Sequence, residues 1–395
     1  MIDFLLRYKW VIIFYLIVIV VLYIKRKKLA VQAKIIFLYR TSLGINLIKK
    51  TADKFGEWIK LIGYIGIGAG YVGLIGISYF LIKSLYTLIF QPELPSQVAL
   101  VLPGIEVPGL GVLSFWYWVI GIFVIAVVHE FGHGIVAKAH GLKIKSTGFV
   151  LLGPIIGAFV EPDEKQVSKK SDVVQYSIFA AGPFANILLA IAAFLLLSFL
   201  FLPVQGNMME TNGFTFSSYH DENFPAEQAG LKPGDVITGL NGETVTKFED
   251  FYEGVKDLKP GDMITVRTQD ASFDIVMVGN PTDPEKPFMG IEGISNKLEV
   301  KEKYATGYLS VYQKIMQWLT SFFMWLFVLS LGIGLFNLLP LPIVDGGRML
   351  KTTITQVSKR KDRVDKRFNM IALLFLLVLV LTLLIPGIKW LLKFF

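Results

Sequence analysis

Four histidines, His129, His133, His140 and His220, are all that this 395-residue chain contains, and it has no cysteine. Any imidazole-based metal site must draw on that short set, while thiolate ligation and disulfides are excluded. His129 and His133 stand four positions apart in His129-Glu130-Phe131-Gly132-His133. On a helix this spacing puts both rings on one face, about one turn apart, where both can reach one ion. Glu130 sits beside them. A zinc ion lowers the pKa of a coordinated water to about 7, and a neighbouring carboxylate can accept that proton. The pattern predicts metal-assisted hydrolysis.

Such five-residue patterns also arise by chance in soluble helices. Here the residues before the motif, Phe115 to Val128, carry no charge. Placing two histidines and a glutamate at lipid depth costs on the order of several kcal/mol if they are unpaired, so such groups mark function. His140 follows His133 by seven positions, about 10 Å further along a helix axis. It cannot join the same ion and is expected at the interface. His220 falls in a polar stretch, where a structural or exposed histidine is expected.

Two imidazoles leave a catalytic zinc one protein ligand short. With no further histidine or cysteine nearby, a carboxylate must complete the set. Asp345 is the only acid between Glu302 and Asp362, in Asn337-Leu338-Leu339-Pro340-Leu341-Pro342-Ile343-Val344-Asp345-Gly346-Gly347. Its prolines and glycines also suit an ordinary helix-ending turn. An unwound helix end that exposes the carboxylate to a polar cavity satisfies both readings.

The elements that must position these residues are membrane-spanning helices. Hydrophobic residues make up 53% of the chain, and several apolar runs approach or exceed the roughly 20 residues needed to cross a bilayer. Six spans are expected: Trp10–Ile24, Leu61–Ile82, Phe115–Ala137, Val173–Leu202, Trp318–Leu339 and Phe368–Ile385. The first is read as a retained helix, because Lys25-Arg26-Lys27-Lys28 follows it where a signal peptide needs small residues. Arg7 and Lys9 would snorkel at its other end. In the second, Gly66, Gly70 and Gly73 suit close helix packing. Residues 30–60, with Ile35, Leu38, Ile45, Ile48 and Phe55 at roughly helical spacing, predict an amphipathic helix on the membrane or on the protein's own surface. Gly148–Val160 is apolar but interrupted by Gly153, Pro154 and Gly157, and reads as a hairpin or re-entrant segment.

Net charge is +8, unevenly spread. Residues 204–300 hold 7 basic and 17 acidic residues. Such asymmetry in an apolar chain reports membrane topology, not nucleic-acid binding. Segments 25–60, 138–172 and 348–367 are basic and expected in the cytoplasm. Segments 83–114 and 204–300 are expected outside. The metal motif then lies toward the cytoplasmic side.

His129-Glu130-Phe131-Gly132-His133 together with Asn337-x-x-Pro340-x-Pro342-x-x-Asp345-Gly346 resembles the site-2 protease family of intramembrane zinc metalloproteases, over roughly residues 115–385. Val344, where the family commonly has Leu, is a conservative departure. The resemblance implies one zinc ion held by His129, His133 and Asp345, with Glu130 as catalytic acid/base. It implies that Asn337 contacts substrate, and Gly182-Pro183-Phe184-Ala185-Asn186 resembles a further family element whose Asn186 would be a second contact. Gly148–Val160 resembles the family's membrane-dipping β-hairpin. Ala229 to Gly242 resembles the AGLxxGDxIxxxNG run of a PDZ domain, with Asn241-Gly242 at a hairpin turn, a helix over 248–257 and a strand over 264–268.

The expected fold class is thus a multi-pass α-helical membrane protein with an inserted extracytoplasmic PDZ-like α+β domain and a short membrane-dipping β-hairpin. The expected segments are N-terminal spans over 1–114, the first half of the protease core over 115–203, the PDZ-like domain over 204–300 and the second half of the core over 301–395. Membrane-protein substrates, a peptide or protein at the PDZ-like domain and the lipid bilayer are the expected partners. A catalytically silent client-binding homologue, another class of membrane zinc protease and a metal transporter are the alternatives. The second lacks the Asn337-to-Asp345 pattern, and the third gives no reason for a PDZ-like domain.

Overall fold

The computed structural model describes residues 9–32, 36–91, 93–94, 97–107, 109–152, 155–221 and 223–392. Arg7, Ile35, Gly153 and Pro154 of the sequence reading lie outside the described residues. The chain divides into two compact units, one of residues 1–197 with 321–395 and one of residues 198–320.

The first unit is built on long apolar helices. Helix α1 covers Lys9–Lys25. Strands β1 (Leu29–Gln32) and β2 (Ile36–Thr41) follow. Helix α2 runs from Ile45 to Phe90, 46 residues and so about 69 Å, with non-helical angles at Phe55. Helix α3 is Phe115–Ala139, and strands β3 (Ile144–Leu152) and β4 (Ile155–Pro162) form the hairpin after it. The short helix α4 (Glu164–Val167) leads to α5, Asp172–Leu196, which contains Pro183.

The surface helix expected over residues 30–60 is corrected. Its first part is the β1–β2 hairpin, and β2 pairs along β3, Tyr39 opposite Phe149. The result is a four-stranded sheet in the order β1-β2-β3-β4. Ile36-Phe37-Leu38-Tyr39 has the β-branched and aromatic content that suits such a pairing. Only the part from Ile45 onward is helical, and it runs into the apolar stretch across a kink at Phe55. The expected glycine packing holds on α2: Gly66 meets Phe184, Gly70 meets Ala180 and Met349, and Gly73 meets Leu338.

The second unit carries strands β5 (Met209–Thr215) and β6 (Ile237–Leu240), helix α6 (Phe248–Val255), and strands β7 (Met263–Thr268), β8 (Ser272–Val276) and β9 (Ser295–Val300). The sheet order is β8-β7-β6-β5-β9, with the two-residue strand Glu243–Thr244 paired to β6. Phe214, Phe216, Leu231, Ile237, Ile264, Val266 and Ile275 fill its core. Asn241 and Gly242 both have positive φ, 49° and 89°, the backbone of a type I′ hairpin turn. Helix α6 and strand β7 fall where the sequence placed them.

Helix α7 (Gly307–Phe336) ends in a Pro340–Pro342 turn, helix α8 begins at Asp345 and runs to Val357, and α9 is Val364–Leu392. The basic stretch over 348–367 is largely helix. Gly346 donates its N–H to the Asn337 carbonyl at 2.8 Å. A Cβ on Gly346 would meet the Leu338 carbonyl, and one on Gly347 would meet the Leu341 carbonyl. The paired glycines are what let the chain fold back tightly before α8.

Among the described residues, five helical stretches are long and apolar enough to cross a membrane: Ile45–Phe90, Phe115–Ala139, Asp172–Asn207, Gly307–Phe336 and Lys361–Pro386. The sixth expected span, α1, has 17 described helical residues, about 25 Å.

Candidate metal centre

Helix α3 presents His129 and His133 one turn apart, and α8 brings Asp345 to meet them. His129 Nε2 lies 3.1 Å and His133 Nε2 3.4 Å from Asp345 Oδ2, and the two Nε2 atoms are 3.2 Å apart. Asp345 is buried, at 7% exposure. Zinc bonds to nitrogen and oxygen of roughly 2.0–2.1 Å in a tetrahedron put neighbouring ligand atoms about 3.3 Å apart. The three observed edges match one face of that figure. Two imidazoles and a carboxylate are a donor set that fits a catalytic zinc ion.

Room for an ion depends on Gly182 of α5. A Cβ there would lie 2.7 Å from His129 Nε2 and still closer to His133 Nε2. Pro183 follows directly, and its ring prevents a regular helical hydrogen bond at that turn. Gly132, inside the motif, lets α3 and α5 approach: a Cβ on it would sit 2.8 Å from the Ala181 carbonyl oxygen. On the other side of α3, the Phe131 ring packs over Gly44, whose φ is +88°.

Each imidazole is held from behind. His133 Nδ1–H donates to the Ile178 carbonyl at 2.7 Å, which leaves the Nε2 lone pair facing the centre. Asn186, fully buried on α5, has its amide nitrogen 3.1 Å from His129 Nδ1. Its Oδ1 has no hydrogen-bond partner. A half-turn of that amide gives Oδ1 the His129 Nδ1–H as its donor, and resolves both observations at once. The Asn186 backbone carbonyl accepts from the buried Ser330 hydroxyl at 2.8 Å, tying α5 to α7.

Glu130 faces the same cavity of 290 Å³ as the triad, together with Asn337, Glu164 and Arg348. Its Oε2 accepts the Val160 backbone N–H of β4 at 2.9 Å. Asn337 Nδ2 donates to the Ile333 carbonyl of its own helix at 3.1 Å. The structure thus brings His129, His133 and Asp345 together, puts Glu130 and Asn337 on the wall beside them, and sets Asn186 behind His129. His140 stands apart, half-buried, with Ser177 Oγ 3.4 Å from its Nε2. Burial and the Lys60 charge push its pKa below the usual imidazole value. His220 pairs with Glu292 between Phe224 and Phe288, in the second unit.

Sequence reasoning missed Val160, Glu164 and Arg348. Arg348 forms an ion pair with Glu164 at 2.7 Å and lies over the Phe179 ring at 4.4 Å. Only the nearness of Arg348 to Asp345 in sequence could have pointed to it.

Comparison with known proteins agrees with this geometry. Residues 117–383 match peptidase family M50. An uncharacterized protein of Methanocaldococcus jannaschii is 27% identical over 349 residues, covering 85% of this chain and 82% of that one. The zinc metalloprotease RasP of Oceanobacillus iheyensis is 28% identical over 270 residues, covering 56% of this chain and 62% of that relative. The solved PDZ domain of an SdrC-like protein from Listeria monocytogenes aligns at 18% identity and a TM-score of 0.18, covering 24% of this chain and 95% of that one. The match to M50 takes in both the histidine motif on α3 and the aspartate on α8, and this chain belongs to peptidase family M50, the site-2-type zinc metalloproteases.

Proposed function

We propose that this protein hydrolyses peptide bonds in or near the membrane-spanning segments of other membrane proteins. His129, His133 and Asp345 are its zinc ligands and Glu130 its acid/base. The observation that carries this reading is the closed triangle of ligand atoms, 3.1, 3.2 and 3.4 Å on its edges, drawn from α3 and α8. Zinc in that triangle supplies a Lewis acid that polarises the scissile carbonyl and acidifies water.

The chain's own residues do the rest. A substrate segment unwinds and pairs with the sheet. The far edge of β3 is occupied by β2, so β4 supplies the edge for the added strand. Glu130 takes a proton from the attacking water and delivers it to the leaving amine nitrogen. Asn337 Nδ2 is the donor offered to the substrate carbonyl, a role worth about 3 kcal/mol where such donors have been removed. Asn186 acts through His129, holding its ring, and does not touch substrate.

The basic segments lie in the cytoplasm and the second unit outside. Five spans satisfy that alternation, and α1 adds a sixth with its Phe14 end beside Phe115. The PDZ-like unit filters or senses substrates through a groove of 220 Å³ between α6 and the chain around Phe288–Ile291.

The test compares wild-type protein with Glu130→Gln in bilayers, each loaded with zinc and given a single-span peptide substrate. Wild type cleaves and Glu130→Gln does not. Equal cleavage by both would overturn the mechanism.

A further inference from the structure

Besides the triad, the cavity holds two carboxylates, Glu130 and Glu164, and a single guanidinium, Arg348. Arg348 sits on the first turn of α8, three residues past Asp345. Glu164 begins α4, directly after the hairpin. Their 2.7 Å ion pair closes the gap between those two walls of the cavity.

Two features favour exchange of this pair. Both side chains reach solvent, Arg348 at 41% and Glu164 at 63% exposure, and pairs of that kind hold weakly. The two partners are also anchored unequally. Arg348 keeps a second contact, its guanidinium 4.4 Å above the ring of buried Phe179, a stacking geometry that favours arginine. If Glu164 leaves, Arg348 stays over the cavity with its fork vacant.

We propose that Arg348 is a specificity-determining residue that binds an acidic side chain of the substrate, with Glu164 as its counter-ion at rest. The proposal rests on the protease reading above. The guanidinium donates to Glu164 through one nitrogen, Nη2, and its planar fork can donate to another carboxylate in its place. Among the lining residues Arg348 is the one fixed cation, so the place in the cavity for a substrate Asp or Glu is beside it.

Binding tests this without relying on turnover. Full-length Glu130→Gln protein in lipid nanodiscs is titrated with fluorescent single-span peptides. One position at a time, through the segment that leaves the bilayer, carries Glu, Gln or Lys. At one position Glu binds about fivefold more tightly than Gln, the ratio for an exposed ion pair. Arg348→Gln brings that ratio to one. Glu164→Gln raises it, because the competitor is gone. Exchanging the charges, Arg348→Glu with Glu164→Arg, restores the pair and makes Lys the preferred residue. A flat Glu-to-Gln ratio at every position would overturn the proposal. So would a preference that survives Arg348→Gln, or a charge-exchanged protein that still prefers Glu, since both describe a strut between walls. Failure of the protease reading shows separately, as equal cleavage by wild type and Glu130→Gln.

Discussion

At the scale of single residues, the proposed centre is more than its three candidate ligands. His133 is oriented by a backbone carbonyl and His129 by the Asn186 side chain. Outer contacts of this kind typically contribute 10–100-fold in metal affinity. Asn186→Leu should therefore weaken zinc binding by about that factor, read by competition with a chromophoric chelator. Unchanged affinity would show that Asn186 does not hold His129. The three side chains that the structure brings together stood out in the sequence because histidine is scarce and acids are absent around Asp345. Asn186 was expected to contact substrate, and its contact with His129 was not legible, because it is made across two helices. Glu164 and Arg348 looked like ordinary surface charges. Nothing in a sequence joins positions 184 apart.

At the scale of elements, the sheet beside the centre is held by a clamp. Glu161 on β4 accepts from Ser146 Oγ on β3 at 2.7 Å and pairs with Arg40 on β2 at 3.3 Å. The Ser146 hydroxyl bond, with Arg40, holds the Glu161 carboxyl below its usual range. A carboxyl depressed by folding contributes stability that is complete above the ordinary value, about 4.3, and lost as pH falls through its lower folded value. Amide exchange across β2, β3 and β4 should accelerate in that acid window. Ser146→Ala should move the acceleration to higher pH, and an unmoved profile would remove Glu161 from the clamp. This sheet was half legible. Gly148–Val160, with its broken apolar run, was read as a hairpin or a re-entrant segment, and its described residues lie in the paired strands β3 and β4. Strands β1 and β2 did not, because β2 is fixed by pairing with β3 more than a hundred residues on. The local spacing of Leu38, Ile45 and Ile48 fits a helix equally well.

For the whole molecule, charge distribution is the feature with the longest reach. The acidic second unit and the basic α8 region should face opposite sides of the membrane. The absence of native cysteine makes this directly measurable. Asp270→Cys should react with an impermeant maleimide added to intact cells, and Lys359→Cys only after the cells are opened. Labelling of both from outside would overturn the topology. The expectation rests on the alternation of apolar and basic segments along the chain. The seating of α3 was not readable, because it depends on what touches the two middle residues of its motif. Phe131 lies against the turn that starts α2, and Gly132 against α5. A search pattern that treats these two positions as wildcards therefore discards the information that says how the helix is seated. Five residues transplanted onto a foreign helix would carry the proposed ligands and base without the socket that aims them.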